Sequence, residues 1–163
     1  MITIELKDEA VTAALSGLEA LLADLSPVMN EIGDFLVGTT EARFESEQTP
    51  DGATWAPRSA ATVARYQRRR WSYGKVLHLT GAMSSNIAHD YGPDFVEVGL
   101  SAIQAAVMQF GAAKGAFGTT ARGGSIPWGT IPARPFLGLS DADRTGIIDI
   151  VGEWLDRAAS GGD

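Results

Sequence analysis

The chain has 163 residues, 45% of them apolar and 20% charged, with a net charge of −7. This length and balance fit one ordinary globular domain and exclude a disordered chain, and the acidic total argues against nucleic-acid binding over the whole surface. Cysteine is absent, which excludes a disulfide framework, a thiol nucleophile and thiolate metal sites, and no apolar run approaches the roughly 18 residues that span a bilayer.

Met1 to Ala10 contain neither a basic nor an apolar leader region, so no signal peptide is visible and the expected setting is the cytoplasm of the producing cell. Ile2 to Leu6 alternate apolar and polar, as a short strand or extended arm would. Val11, Leu15, Leu18, Leu22 and Leu25 then recur at spacings of four and three, the apolar stripe of an amphipathic helix. Ser26-Pro27 reads as an N-cap followed by proline in the first turn. It opens a second helix from about Pro27 to Glu47, with Val28, Ile32, Phe35, Leu36 and Phe44 on its apolar face. Gly33 and Gly38 weaken that helix by about 1 kcal/mol each relative to alanine. The short break between the two predicts an antiparallel helical hairpin over residues 1–47.

Thr49-Pro50-Asp51-Gly52 is a turn signal, because proline presets φ and glycine accepts a positive φ. Trp55 and Pro57 follow, and Ser59 caps a short helix to about Arg69. Arg68-Arg69-Arg70-Trp71-Ser72-Tyr73 mixes cations with aromatics. It reads either as a clamp on a phosphate backbone or as a solvated helix end. Charge is placed in blocks. Residues 1–50 hold ten acids against two bases, residues 51–80 hold six bases against Asp51, and residues 139–163 hold six acids against two bases. The basic block either meets an acidic helix, in the same chain or a neighbouring copy, or is a solvated face.

Val76 to Leu79 read as a short extended segment, and Thr80 as the cap of a brief helix containing Met83. Ile87 to Tyr91 and Phe95 to Leu100 flank Gly92-Pro93-Asp94 as a β-hairpin. Ser101 with Gln104 matches a capping box before a helix over about Ala102 to Phe110. Residues 111–130 carry six glycines and no apolar periodicity, the mark of a long flexible loop that is functional or orders on a partner. Ile131 to Leu137 return to extended backbone, held at an edge by Pro132 and Pro135. Ser140 caps a last helix with Asp143 at its third position and a stripe of Ile147, Ile148, Val151, Trp154, Leu155 and Ala158. The fold class expected is α+β: an N-terminal helical hairpin, a turn, basic helix and hairpin over 48–110, the 111–130 loop, and an arm with a C-terminal amphipathic helix over 131–159. All are parts of one domain.

No catalytic constellation, metal site or cofactor site is found. The two histidines, His78 and His89, lie in different elements without metal-ligand spacing. His78 alternates with Leu77 and Leu79 across a strand, and His89 is expected to be exposed near the hairpin end. No GxSxG elbow anchors a hydrolase triad, and Gly111 to Gly115 lack the ending of a phosphate loop.

Four stretches together resemble the phage virion morphogenesis family, the tail-completion proteins of tailed phages. Phe44 to Pro57, FESEQTPDGATWAP, is similar to its helix end followed by PDG and WxP. Leu77, Thr80, Gly81 and Met83 with Asn86-Ile87 resemble its ILxxTGxLxxSI segment, with methionine and asparagine replacing leucine and serine. Val96 to Gly99, then Met108 to Gly111, stand where the family has a strand and YAxxHQxG, without the usual tyrosine and histidine. Ile131 to Ser140, IPARPFLGLS, before Asp143, is the most specific.

The resemblance implies a non-enzymatic structural protein of virion assembly, acting where tail meets head, in several copies in a ring, located in the virion and in the host cytoplasm during assembly. It implies neck, tail-terminator or tail-tube proteins as partners. Asp51 and Gly52 would set a turn that Trp55 anchors, Pro132 to Phe136 would hold an extended segment in which Arg134 bonds within the fold or across a subunit contact, and Arg68, Arg69, Arg70, Thr80, Gly81 and Gly111 are further structural or partner-contact candidates. The alternative is a small DNA-binding protein using Arg65 to Trp71.

Overall fold

The computed structural model describes residues 16–160 except 18 and 20, so the expectations for Ile2 to Leu15 and for Leu18 lie outside the described residues. The described part of the first leucine stripe is helical up to residue 23. Of the expected stripe Leu25 packs inward, but Leu22 is exposed and Leu21, which the stripe did not include, packs in its place. Helix α1 spans Ser26–Ser46, one residue earlier than the Ser26 cap implied. The Asp24 carboxylate accepts the Ser26 amide at 2.9 Å, and Leu25 takes the cap position without a side-chain bond. Glu47 ends the helix in the left-handed region at φ +57.

Two strands, β1 (Ile87–Tyr91) and β2 (Val96–Leu100), pair antiparallel with Ile87 opposite Leu100 and Tyr91 opposite Val96. The turn closes with the Gly92 amide donating to Phe95 O at 2.9 Å, which leaves Phe95 outside the strand and exposed. The sheet lies across α1, and Gly33 makes this close approach possible: a Cβ there would run into the His89 ring. His89 is therefore half-buried in mid-strand and not exposed at a hairpin end, with Nε2 3.0 Å from Asn30 Oδ1.

Helix α2 (Ala60–Arg68) is capped by Ser59, whose Oγ accepts from the Thr62 amide. Residues 76–79 are not extended. The Val76 amide donates to the Glu47 carboxylate, and Arg58 donates to the carbonyls of Gly74 and Lys75. With side chains satisfying the backbone, the segment needs no strand partner and turns through Leu77 at φ +64. His78 consequently does not alternate across a strand. The brief helix after Thr80 is a 3₁₀ turn, Ser84–Asn86, that starts beyond the buried Met83. Helix α3 (Ala105–Phe110) is shorter than expected and has no capping box: the Ala105 amide bonds to Ala102 O in a preceding turn.

The last helix, α4 (Asp141–Ala159), has the expected start, with Ser140 Oγ accepting from the Asp143 amide and Asp143 accepting from the Ser140 amide. Its buried stripe is narrower than the sequence reading. Trp154, Ile147, Ile150 and Val151 pack inward, whereas Ile148 and Leu155 are 69% and 38% exposed. One helix neighbour, α1, covers only one face.

The architecture is α+β with two apolar clusters strung along α1. Val28 and Ile32 meet Trp154 at one end, and Phe44 meets Trp55, Met83, Ile87 and Phe136 at the other. Between them the buried Arg43 pairs with Asp143 and donates to the carbonyls of Phe136 and Gly138 at 3.0 and 2.9 Å. This ties α1, α4 and the intervening extended segment together.

Candidate functional site

The turn at residues 49–52 forms as its residues dictate: the Gly52 amide donates to Thr49 O, Gly52 has φ +84, and the Thr49 hydroxyl donates to the Asp51 carboxylate. That hydroxyl holds the Asp51 carboxyl below its usual range. The turn delivers Trp55, 4% exposed, whose indole Nε1 donates to Pro135 O at 2.9 Å. Pro132 to Phe136 are extended without a strand partner, and Phe136 is fully buried. Arg134 bonds within the fold: Nε donates to Ala56 O at 2.7 Å and Nη2 to Pro57 O at 2.9 Å. The motif residues 51–57 and 131–136, about 80 positions apart in sequence, are thus two sides of one strut.

A groove of about 460 Å³ opens beside this strut, between α2, α3 and the 76–83 segment. Val76, Leu77, Leu79, Met83 and Met108 make it apolar, and Arg58, Arg65 and Arg134 line it with no acidic side chain among its walls. Burial, with the nearby Arg58 charge, lowers the Arg134 pKa from its ordinary value. Arg58 lies over the rings of Tyr66 and Tyr73, Arg65 over Tyr66, and Arg69 over Trp71 at 4.9 Å. The chain's own cations therefore cover the aromatics of the basic cluster. Arg68, Arg69 and Arg70 are exposed beyond the groove. Thr80 is part of the groove wall, and Gly81 turns beside it at φ +76. Lys75 carries the one ion pair between the basic block and α1 among the described residues, to Glu45.

Residues 111–131 are not a structureless loop. Ala112 and Ile131 exchange two backbone bonds of 2.9 and 2.8 Å at the root. Further out, Gly115 bonds to Pro127, Phe117 to Ile126, Ile126 to Gly118 and Thr120 to Gly124, making a two-legged arm. Small residues allow this narrow pairing, which no hydrophobic periodicity would reveal. The arm carries Phe117 and Trp128 at 56% and 79% exposure, and its root helix adds Phe110 at 79%.

Gly111 sits at the root of the arm, at φ +73 and ψ 178, where a Cβ would lie 2.8 Å from Ala133 N and Ile131 O. Gly111→Ala is expected to lower stability by about 1–3 kcal/mol from the backbone conformation, with the clash added. Thermal unfolding against Gly118→Ala checks this, since Gly118 has φ +89 but open space around it.

Among the described residues no group of three acidic or histidine side chains converges as a metal ion would require, and no helix is long and apolar enough to cross a membrane. Two surface features remain: the apolar groove and the arm with its exposed aromatics, which meet at Thr130 to Pro132.

The chain is 32% identical over 124 residues to the putative capsid assembly protein G of Escherichia phage Mu, covering 76% of this chain and 74% of that protein. It is 26% identical over 156 residues to the Mu-like prophage FluMu G protein 2 of Haemophilus influenzae, covering 95% and 96%. No solved structure matches it significantly. The model of the phage virion morphogenesis family matches residues 6–156, a span that includes the turn, the strut and the arm, and the chain belongs to that family, a family of virion assembly.

Proposed function

We propose that this virion assembly protein is a non-enzymatic structural component that completes the tail or joins it to the head, working at the neck in several copies. The observation that carries this reading is the arm. It presents Phe117 and Trp128 to solvent on a backbone ladder that is rooted in the buried strut. Large exposed aromatics are the residues that dominate protein interfaces once buried. The partners proposed are neck, tail-terminator or tail-tube proteins.

Replacing Phe117 and Trp128 together by serine tests the reading. Each lost ring is expected to cost about 2 kcal/mol of docking, roughly 30-fold in affinity. The variant should fold with unchanged thermal stability, and phage complemented with it should accumulate unjoined heads and tails. Normal yields of joined, infectious particles would refute the role of the arm. Deletion of residues 113–125 should give the same phenotype, because the bonds between Ala112 and Ile131 lie outside the deleted stretch.

A further inference from the structure

We propose that the groove beside α2 receives the outer face of α4 from a second copy of the chain, so that copies join head to tail. This rests on the reading above, in which several copies act together.

The groove pairs an apolar floor with uncompensated positive charge. Leu79 and Met83 line it, and Arg58, Arg65 and Arg134 form no ion pair with any described acid. Arg58 and Arg134 are oriented by backbone carbonyls, which place the guanidinium groups without neutralising them. A buried or partly buried cation left in this state favours an external anion, and the apolar floor favours one carried on an apolar stripe.

The outer face of α4 has this composition. Ile148, Gly152 and Leu155, at i, i+4 and i+7, form an exposed strip, and a Cβ at Gly152 would meet nothing within 4 Å. Asp149, Glu153 and Asp156 run along one side of it, exposed and without an ion pair among the described residues. Nothing in the α1–α4 packing uses this face, since Trp154 points the opposite way into the Val28–Ile32 cluster.

Within one copy the two surfaces belong to different clusters. The groove continues the Phe44 cluster through Met83, and α4 is held on the Val28 cluster. Unlike surfaces meeting between copies make a heterologous contact, which generates a closed ring where the rotation closes. A phosphate backbone would satisfy the arginines but leave Leu79, exposed at the mouth of the groove, uncovered, so the observations favour the helix over DNA.

The test uses the absence of native cysteine. Leu79→Cys and Leu155→Cys, both at partly exposed positions, are placed in one chain. Mild oxidation of the concentrated protein, and of virions assembled with it, should give a ladder of covalently linked copies. Each single-cysteine variant alone should give no covalent species, and a mixture of the two should stop at dimers. Arg65→Glu should abolish the ladder, and Glu153→Arg in the same chain should restore it at least in part.

A ladder missing from both solution and virions, or one indifferent to Arg65→Glu, overturns the proposal. So does an Arg65→Glu variant whose only loss is salt-sensitive DNA binding, which would assign the groove to nucleic acid. The Phe117→Ser/Trp128→Ser variant separates this inference from the functional reading. If attachment still depends on the arm while the ladder fails, the α4 contact is wrong and the arm's role stands.

Discussion

Arg43→Ala is expected to destabilise the protein by about 3–5 kcal/mol, the usual consequence of removing one partner of a buried ion pair. Arg43 is 8% exposed and Asp143 3%, so neither partner can turn to water for compensation. The substitution leaves a buried carboxylate without its cation and the carbonyls of Phe136 and Gly138 without their donor. A domain of this size has about 5–15 kcal/mol in total, and each kcal/mol moves the melting temperature by roughly 2–4 °C. Calorimetry should therefore show a drop of roughly 6–20 °C. Adding Asp143→Asn should recover part of the loss, because it removes the stranded charge, and additive losses would show that the two residues act independently.

The same pair contributes to the response to acid. Burial raises the Asp143 pKa, but the Ser140 amide and hydroxyl, with the Arg43 charge and Thr39, outweigh it, so the folded value lies below the ordinary one. A depressed carboxyl pKa gives stability that is present above the unfolded value of about 3.9 and is lost as pH falls through the folded value. In Arg43→Ala one of these causes is gone, and the midpoint of acid unfolding should move to higher pH.

Phe44→Ala is expected to cost about 3–5 kcal/mol by a different route, the opening of a cavity. Phe44 is fully buried, edge-on to Trp55 with ring centroids 5.3 Å apart, and at the same distance from Phe136. Trp55 and Phe136 hold the strut from both sides, so the cavity lies at the support of the arm. Urea unfolding should show a lower midpoint with an unchanged slope. Hydrogen exchange should quicken most at the Arg134 amide, bonded to Met108 O at 2.7 Å, and at the Ile131 amide. Uniform quickening over the whole chain would instead show that the cluster stabilises the fold without a special hold on the arm.

Local chemistry decided much of this protein before any tertiary contact is considered. The Thr49–Gly52 turn, the Ser59 cap, the Ser140–Asp143 capping box and the hairpin across Gly92-Pro93-Asp94 all involve residues within about four positions of one another, where proline, glycine and short polar side chains act alone. The family was also legible, from the resemblance carried by Phe44 to Pro57 and Ile131 to Ser140, which the structure places in the turn and the strut, and the family match spans both.

Other features depended on partners distant in sequence. Arg43 and Asp143 are 100 positions apart, and nothing in either segment announces the other. Residues 76–79 read as a strand until Glu47 and Arg58 bind their backbone, and His89 reads as exposed until Gly33 admits its ring. The 111–130 segment has no side-chain period because its order comes from backbone pairing between two legs, whose alignment is set by the buried strut at their root. Tertiary structure alone also decided which face of α4 is left bare. A helix with apolar residues on more than one side buries the side its neighbour reaches, and α1 reaches Trp154 and leaves Ile148 and Leu155 in water.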